Sequence, residues 1–194
     1  MKRIILVLSI VLLIVSAASI SFAQDRKGGY IAIKPGAYFP TGDLEDRDFD
    51  SSFAGELTVG TYYNRNLALE AGIGYFQTGA TKRIAGFKEE DDVRVIPVTI
   101  TIKGVLPLNG FELTAGVGGG VYFAHLDVDG TNVSKDENDA VWGAQFVAGA
   151  NVDISKKVFL GVEGKYIVTS EADFSGAKVN LNGCTLTGVV GYRF

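Results

Sequence analysis

The sequence predicts an all-β fold, namely an eight-stranded antiparallel up-and-down transmembrane β-barrel that follows an N-terminal signal peptide. Three observations predict it. Apolar residues alternate with small or polar residues, with the period of two that is typical of strands, along eight segments. The connections between these segments are alternately short and long. Aromatic residues stand at both ends of the apolar set, as they do in barrels that cross a membrane.

The N-terminus has the three parts of a secretory signal peptide. Met1-Lys2-Arg3 is basic, residues 4–15 are apolar apart from Ser9, and Ser21-Phe22-Ala23 is a small-x-small exit. An uncleaved membrane anchor is the alternative, because residues 4–20 are nearly long enough to cross a bilayer as a tilted helix. The small exit residues favour cleavage. We therefore expect a signal peptide over residues 1–23 and one β-barrel domain over residues 24–194.

The alternation predicts eight strands and the connections between them. The strands are expected over residues 30–39, 53–63, 67–77, 93–105, 111–126, 140–154, 158–168 and 179–194. The short connections are residues 64–66, 106–110 and 155–157, and the long polar ones are 40–52, 78–92, 127–139 and 170–178. This order predicts antiparallel neighbours, with every tight turn at the end of the barrel that also holds both termini.

Two features interrupt the strand pattern. Pro35 and Pro97 fall inside expected strands and each lacks a backbone donor, so a rim position or a bulge is expected there. Asn180 and Asn182 share the parity of the apolar Leu186. We expect either a change of register near Gly183 or a position for these residues above the membrane.

The residues at the apolar positions of the alternating pattern are expected to face lipid. Its members are Ile31, Ile33, Leu57, Val59, Ile96, Val98, Ile100, Ile102, Leu113, Val117, Val152, Ile154, Leu160 and Val162. The aromatic belts are expected from Phe39, Phe53, Tyr75, Phe123, Trp142 and Tyr166 at the long-connection end, and from Tyr63, Phe111, Tyr192 and Phe194 at the short-turn end. A closed barrel leaves no unpaired sheet edge in lipid.

The residues at the other positions of the pattern are small or polar, with few charges, and they are expected to line the lumen. The predicted structural charge cluster is Lys34, Glu56, Glu70, Lys103, Glu112, Glu163, Lys165 and Arg193. In a narrow lumen each of these charges needs a partner, since an isolated buried charge is costly to desolvate. Glycine and threonine fill the other inward positions, as expected for eight strands.

With these residues, the chain resembles the small bacterial outer-membrane β-barrel superfamily of OmpA-, OmpX- and OmpW-like proteins. The resemblance extends over the whole mature chain, and Phe159 to Tyr166 also resembles the seventh strand of OmpW-like proteins. The family's C-terminal assembly signal is matched by Thr187, Tyr192 and Phe194, while Val189 stands at its glycine position. The resemblance implies a Gram-negative outer membrane, insertion by the barrel-assembly machinery, and contact with lipid and lipopolysaccharide. It also implies periplasmic termini, long loops outside the cell and a monomer.

The sequence carries no organised catalytic or cofactor motif. Gly116 to Gly120 lacks the spacing of a nucleotide loop, because Val121 stands where a glycine is required and no helix follows. The only histidine, His125, has no triad partner nearby, since the next serine downstream is Ser134 in a loop. The only cysteine, Cys184, excludes an intrachain disulfide. We therefore expect no enzyme, no cofactor and no metal site, and the net charge of −4 argues against nucleic acid.

Several functions remain open at this stage. The first is a structural or passive-permeability role, with four long acidic loops outside that divalent cations could bridge to lipopolysaccharide phosphates. The second is an OmpW-like conduit for small hydrophobic molecules, through an apolar pocket near Ile167, Val179 and Leu181. The third is OmpX-like adhesion through the loops. A soluble lipocalin-like barrel of inverted polarity is disfavoured, because a Gly-x-Trp motif near the first strand is absent and aromatic belts are present.

Overall fold

The structure is a computed structural model that describes residues 28–41, 51–84, 87–130, 133–174 and 177–194. Of residues 79–84, 87–92, 126–130, 133–138, 172–174 and 177–179 it describes backbone only. The strands are β1 (Gly29–Pro40), β2 (Ser52–Asn64), β3 (Leu67–Ile84), β4 (Phe87–Leu108), β5 (Phe111–Gly130), β6 (Val133–Asp153), β7 (Val158–Thr169), β8 (Glu171–Phe174), β9 (Ala177–Asn180) and β10 (Gly183–Arg193). The predicted signal peptide and the first acidic connection, residues 42–50, lie outside the described residues. No described helix is long and apolar enough to span a membrane.

Eight of the strands close into one barrel. Their order is β1-β10-β7-β6-β5-β4-β3-β2, and every neighbouring pair is antiparallel. β8 and β9 form a separate two-stranded sheet in the connection before β10. β1, β2 and β7 are 12, 13 and 12 residues long, which is enough to cross a bilayer in a tilted barrel. The predicted fold class is confirmed.

The long connections contain more strand than the sequence indicated. β3 and β4 stay paired out to Ile84 and Phe87, and β5 and β6 out to Gly130 and Val133. The expectation of polar loops over residues 78–92 and 127–139 was therefore wrong. Beyond the apolar band both faces of a strand are polar, so alternation no longer marks it, although the backbone remains paired. We call the four extensions, residues 79–84, 87–92, 126–130 and 133–138, the protruding sheet.

The prolines interrupt hydrogen bonding without changing the register. The β1–β10 ladder passes from Ile33↔Val190 to Gly36↔Thr187 in one register, across Pro35. The β3–β4 ladder does the same across Pro97, between Ile73↔Val98 and Phe76↔Val95. The expected rim or bulge is found at neither proline, because each keeps its pairing with the strand on its other side, Pro35 with Gly55 and Pro97 with Tyr122.

The last strand also differs from the expectation. β10 begins at Gly183. Of the two alternatives for Asn180 and Asn182, a change of register near Gly183 was wrong, because the alternation of more and less buried residues runs unbroken from Leu181 into the strand. A position above the membrane stays a prediction. Pairing stops at residues 181–182 instead, where the chain leaves the β8–β9 hairpin. The irregularity in the barrel that does shift register lies between β2 and β3, at Tyr62/Asn64.

The outer face matches the predicted band. All its predicted members are exposed except Val59 and Val98, which are half-buried. The belt residues Phe39, Phe53, Trp142 and Tyr166 are exposed at one end, and Tyr63, Tyr192 and Phe194 at the other. Tyr75, Phe111 and Phe123 are half-buried. The apolar side chains of this band therefore point away from the barrel, and its core is the lumen, which holds buried charges between two layers of buried hydrophobic residues.

Candidate functional site

An apolar layer, which we call the plug, fills the lumen at the long-connection end. It consists of Tyr38, Ala54, Phe76, Val93, Val95, Tyr122, Ala124, Val141, Ile167 and Leu181, all buried. The rings of Tyr38 and Phe76 stack with their centroids 4.2 Å apart. Tyr122 donates to Gln145 at 3.3 Å, and Gln145 Nε2 donates to Thr101 Oγ1 at 2.6 Å. The layer therefore has polar support from the strands beneath it.

Leu181 and Asn182, which lead into β10, are hydrogen-bonded to residues of β1 and β7 beside the plug. The Tyr38 hydroxyl donates to the carbonyl oxygens of Leu181 and Asn182, at 3.3 and 2.9 Å. The Asn182 side-chain oxygen accepts from the Thr169 amide at 2.9 Å, and the Leu181 amide donates to Thr169 Oγ1 at 2.8 Å. The Thr41 amide donates to the Asn182 carbonyl at 2.9 Å. β1 and β7 together hold Leu181 in the lumen.

The centre of the lumen holds a tetrad of two lysines and two glutamates. Lys34 Nζ lies 2.8 Å from Glu70 Oε1 and 2.9 Å from Glu163 Oε1. Lys103 Nζ lies 2.7 Å from Glu70 and 2.6 Å from Glu163. All four side chains are buried. Each lysine thus bridges both glutamates, which supplies the short charge-assisted bonds that offset desolvation.

A second ion pair connects the tetrad with the plug. Lys165 Nζ donates to both carboxylate oxygens of Glu56, at 2.9 and 2.8 Å. Glu56 is also 3.8 Å from Lys34 Nζ. The lysines Lys34, Lys103 and Lys165 and the glutamates Glu56, Glu70 and Glu163 therefore form one network of balanced charge, which we call the central network.

An aromatic layer lies on the other side of the central network. Tyr30 donates to Glu70 Oε2 at 2.8 Å, and its ring centroid is 5.9 Å from that of Phe159 and 5.5 Å from that of Tyr62. The rings need glycine on the neighbouring strands. A Cβ at Gly191 would lie 2.0 Å from the ring of Phe159, and one at Gly60 would lie 2.2 Å from the ring of Tyr30.

Arg193 closes the lumen at the short-turn end. Its guanidinium donates to Glu112 at 2.9 Å and to Asp153 at 2.5 Å, and its Cζ lies 4.4 Å from the ring centroid of Phe159. Tyr62 and Asn151 also donate to Glu112, each at 3.2 Å. The arginine therefore joins β10 to β5 and to the end of β6.

The structure places all eight residues of the predicted charge cluster on the lumen side. Six of them form the central network, and Glu112 and Arg193 form a separate pair at the short-turn end. The sequence reasoning missed the lumen tyrosines Tyr30, Tyr38, Tyr62 and Tyr122, which it did not separate from the outward aromatics. The sequence of β1 could have separated two of them, because Tyr30 and Tyr38 lie on the same face of the strand as Lys34.

The residues of the predicted assembly signal lie on different faces of β10. Thr187 is buried and donates to the Glu163 carbonyl at 3.2 Å, whereas Tyr192 is exposed. Phe194 is exposed and its amide donates to the Gly29 carbonyl at 3.0 Å. Their role in assembly stays a prediction.

Little free volume separates these layers. A cavity of about 20 Å³ lies between the tetrad and the aromatic layer, and one of about 30 Å³ lies beside Glu56 and Pro97. Each has room for about one or two waters. In the described part of the barrel, the arrangement can bridge and orient strands, but these cavities are too small for a solute.

Comparison with known proteins identifies the family. Residues 5–194 match the outer membrane protein beta-barrel domain. The chain belongs to this outer-membrane β-barrel family. It is therefore a protein of the bacterial outer membrane, and its exposed apolar band is the surface that lipid covers. A lipocalin-like soluble barrel is excluded.

Solved structures of outer-membrane barrels share the fold. OprG from Pseudomonas aeruginosa is 18% identical with a TM-score of 0.61, and the match covers 89% of this chain and 99% of that one. Neisserial surface protein A is 12% identical with a TM-score of 0.60, covering 86% and 97%. Ail from Yersinia pestis, in complex with the heparin analogue sucrose octasulfate, is 15% identical with a TM-score of 0.54, covering 88% and 100%. No curated protein sequence matches.

Proposed function

We propose that this outer-membrane barrel is a sealed structural anchor that carries the protruding sheet into the medium outside the cell. The filled lumen is the observation that supports it, because the plug, the central network and Arg193 occupy successive levels of the described barrel. In this proposal the long-connection end faces outside and both termini face the periplasm. No enzymatic activity is part of the proposal.

The protruding sheet favours a surface-interaction role over a purely structural one. β3 stays paired with β4 to Ile84, and β5 with β6 to Val133, beyond the last β2–β3 pair at Phe76. A paired sheet that extends past the barrel wall can present a fixed surface to another protein. OmpX-like adhesion would therefore act through the protruding sheet, with the barrel as its rigid base.

Liposome swelling tests the sealed anchor. Vesicles that contain the folded protein are expected to swell no faster in small sugars or amino acids than vesicles without protein. Replacing residues 79–92 by a short turn is expected to leave the heat-modifiable gel migration unchanged, since the β3–β4 pairs from Leu67↔Gly104 to Thr78↔Val93 are kept. Rapid swelling, or a barrel that fails to fold without the extension, would contradict the proposal.

One observation favours a second candidate, a conduit for small hydrophobic molecules. The β3–β4 ladder is interrupted at Pro97, and the cavity of about 30 Å³ there is lined by lumen residues such as Gln145 as well as by Tyr75 of the wall. The pocket expected near Ile167 and Leu181 is instead filled by those side chains, and the side chain of Val179 lies outside the described part. Such a route would therefore cross the wall beneath the plug.

Uptake assays separate the conduit from the anchor. Under the conduit, Pro97→Ala would close the ladder and reduce uptake of a small apolar compound into cells, whereas Pro35→Ala would not, because Pro35 is not among the residues that line the cavity. Equal uptake by both variants and by cells that lack the protein is the result expected of a sealed anchor.

A further inference from the structure

The Arg193 side chain is bound by three strands other than its own. Arg193 belongs to β10, whereas Glu112, Asp153 and Phe159 belong to β5, β6 and β7. The register pairs Asp153 with Phe159, and Phe159 with Gly191 of β10. The guanidinium group therefore reaches over β7 to carboxylates on the next two strands of the barrel.

The contacts match the shape of a guanidinium group. Nη2 of Arg193 donates to Glu112 Oε1 at 2.9 Å, and Nη1 donates to Asp153 Oδ1 at 2.5 Å. Cζ lies 4.4 Å from the ring centroid of Phe159, which is close enough for a cation–π contact. Two carboxylates on separate nitrogens and an aromatic face suit a planar, delocalised cation. A lysine ammonium, which is a point charge, cannot make the same set of contacts.

Residues outside β10 hold this arrangement in place. The Tyr62 hydroxyl and Asn151 Nδ2 both donate to Glu112 Oε1, each at 3.2 Å. The rings of Tyr30 and Phe159 meet edge to face, with their centroids 5.9 Å apart. The carboxylate and the ring therefore keep these contacts when the arginine side chain is removed.

The arrangement is open to solvent on one side. The Asp153 side chain is 37% exposed, whereas that of Glu112 is 6% exposed. In Arg193→Ala, the space that the guanidinium fills would be reached from the Asp153 side. Glu112 would then be a buried carboxylate whose described contacts, Tyr62 and Asn151, are neutral. A buried charge without a counterion is unfavourable, so an added cation of the right shape should bind there.

We propose that Glu112, Asp153 and Phe159 form a guanidinium-binding site. Its resident ligand is the Arg193 side chain, and the site binds a free alkylguanidinium cation when that side chain is absent. In the intact chain the site joins the end of β10 to β5 and β6, two strands with which β10 forms no ladder. The inference does not depend on the proposed anchor role, since these contacts are the same whether or not the lumen conducts.

Chemical rescue of Arg193→Ala tests the site. The variant would be unfolded with urea in lipid vesicles at several millimolar concentrations of methylguanidinium chloride, with sodium chloride at equal ionic strength as the reference. Its urea midpoint should rise with methylguanidinium and saturate, as expected of a ligand that binds the native state alone. The parent protein, whose site is filled, should show no such rise. Adding Phe159→Leu to Arg193→Ala should weaken the apparent affinity about fivefold, because the cation–π contact is lost.

The matched control is the double variant Arg193→Ala, Glu112→Gln, which lacks the buried carboxylate and should not be rescued. Equal rescue of the single and double variants would overturn the site, as would equal effects of methylguanidinium and sodium chloride on Arg193→Ala. If Arg193→Ala does not fold alone, its refolding yield with and without methylguanidinium gives the same comparison, and failure under both conditions would also overturn the site. Liposome swelling of the parent protein tests the sealed anchor separately.

Discussion

Tyr38 on β1 and Asn182 at the entry to β10 are joined by a hydrogen bond of 2.9 Å, from the phenol to the backbone carbonyl. The bond spans the seam where the first and last strands close the barrel, and the same tyrosine ring stacks on Phe76 within the plug. The β1–β10 ladder closes the barrel, and the Tyr38 side chain adds a contact to this seam while it also helps to fill the lumen.

Removing one cation from the central network should be strongly destabilising. In Lys34→Met, Glu70 and Glu163 would keep Lys103 alone, and the network would hold uncompensated negative charge. We expect the free energy of unfolding to fall by about 3–5 kcal/mol, as for other broken buried ion pairs. Urea unfolding in lipid vesicles measures this. Lys157→Met, at an exposed turn lysine, is the control and should change little.

Removing both members of a pair should cost less than removing one. Lys165 and Glu56 bond to each other, so the double variant Lys165→Met, Glu56→Gln leaves no unpaired carboxylate at that position. We expect it to be more stable than Lys165→Met alone in the same urea titration. If the double variant is the less stable of the two, the pair is not acting as a compensated unit.

The aromatic layer predicts a contrast between two glycines of one strand. Gly191→Ala would place a Cβ 2.0 Å from the ring of Phe159, whereas the nearest atom to a Cβ at Gly188 is the Pro35 carbonyl oxygen at 3.9 Å. Gly191→Ala should therefore cost about 1–3 kcal/mol as overpacking, and Gly188→Ala should be tolerated. Unfolding curves of the two variants give the comparison, and Phe159→Leu should rescue the first. Similar losses of stability at both positions would contradict the close packing of Phe159 against Gly191.

The last residue allows a test of assembly that is independent of lumen packing. Phe194 is exposed beside β1, while Arg193 bonds to Glu112 and Asp153 inside the rim. Deletion of Phe194 should reduce the amount of folded protein in the outer membrane, as seen by heat-modifiable migration. Arg193→Ala should insert normally and lose stability instead. Normal insertion without Phe194 would count against the predicted assembly signal of Thr187, Tyr192 and Phe194.

The alternation of residues was enough to predict the eight strands, their order and the two faces, because lipid and lumen impose opposite chemistry on successive residues. It predicted the charge cluster for the same reason. The protruding sheet was missed because residues 78–92 and 127–139 lose that contrast outside the bilayer. Of the plug, Ile167 and Leu181 were expected at this end as the lining of an apolar pocket. Tyr38 and Phe76 were missed because they are as apolar as lipid-facing residues, and only their place on the same strand face as Lys34 and Glu70 distinguishes them.

The hydrogen bonds that hold Leu181 and Asn182 had no signal in the sequence. They join the side chains of Tyr38, Thr169 and Asn182 to backbone carbonyls and amides of distant strands, and they depend on a break in pairing after the β8–β9 hairpin. Such contacts arise from the path of the chain in space. The tetrad geometry, with each lysine between two glutamates, likewise depends on the register of strands distant in sequence.

Single-channel recording in planar bilayers tests the sealed lumen most directly. The parent protein should give no stable conductance steps. The double variant Tyr38→Ala, Leu181→Ala should give more frequent openings, while Tyr63→Ala, Leu186→Ala should stay silent, because Leu181 is 0% exposed in the plug and Leu186 is 59% exposed toward lipid. Reproducible steps from the parent protein, unchanged when the plug residues are removed, would contradict the account.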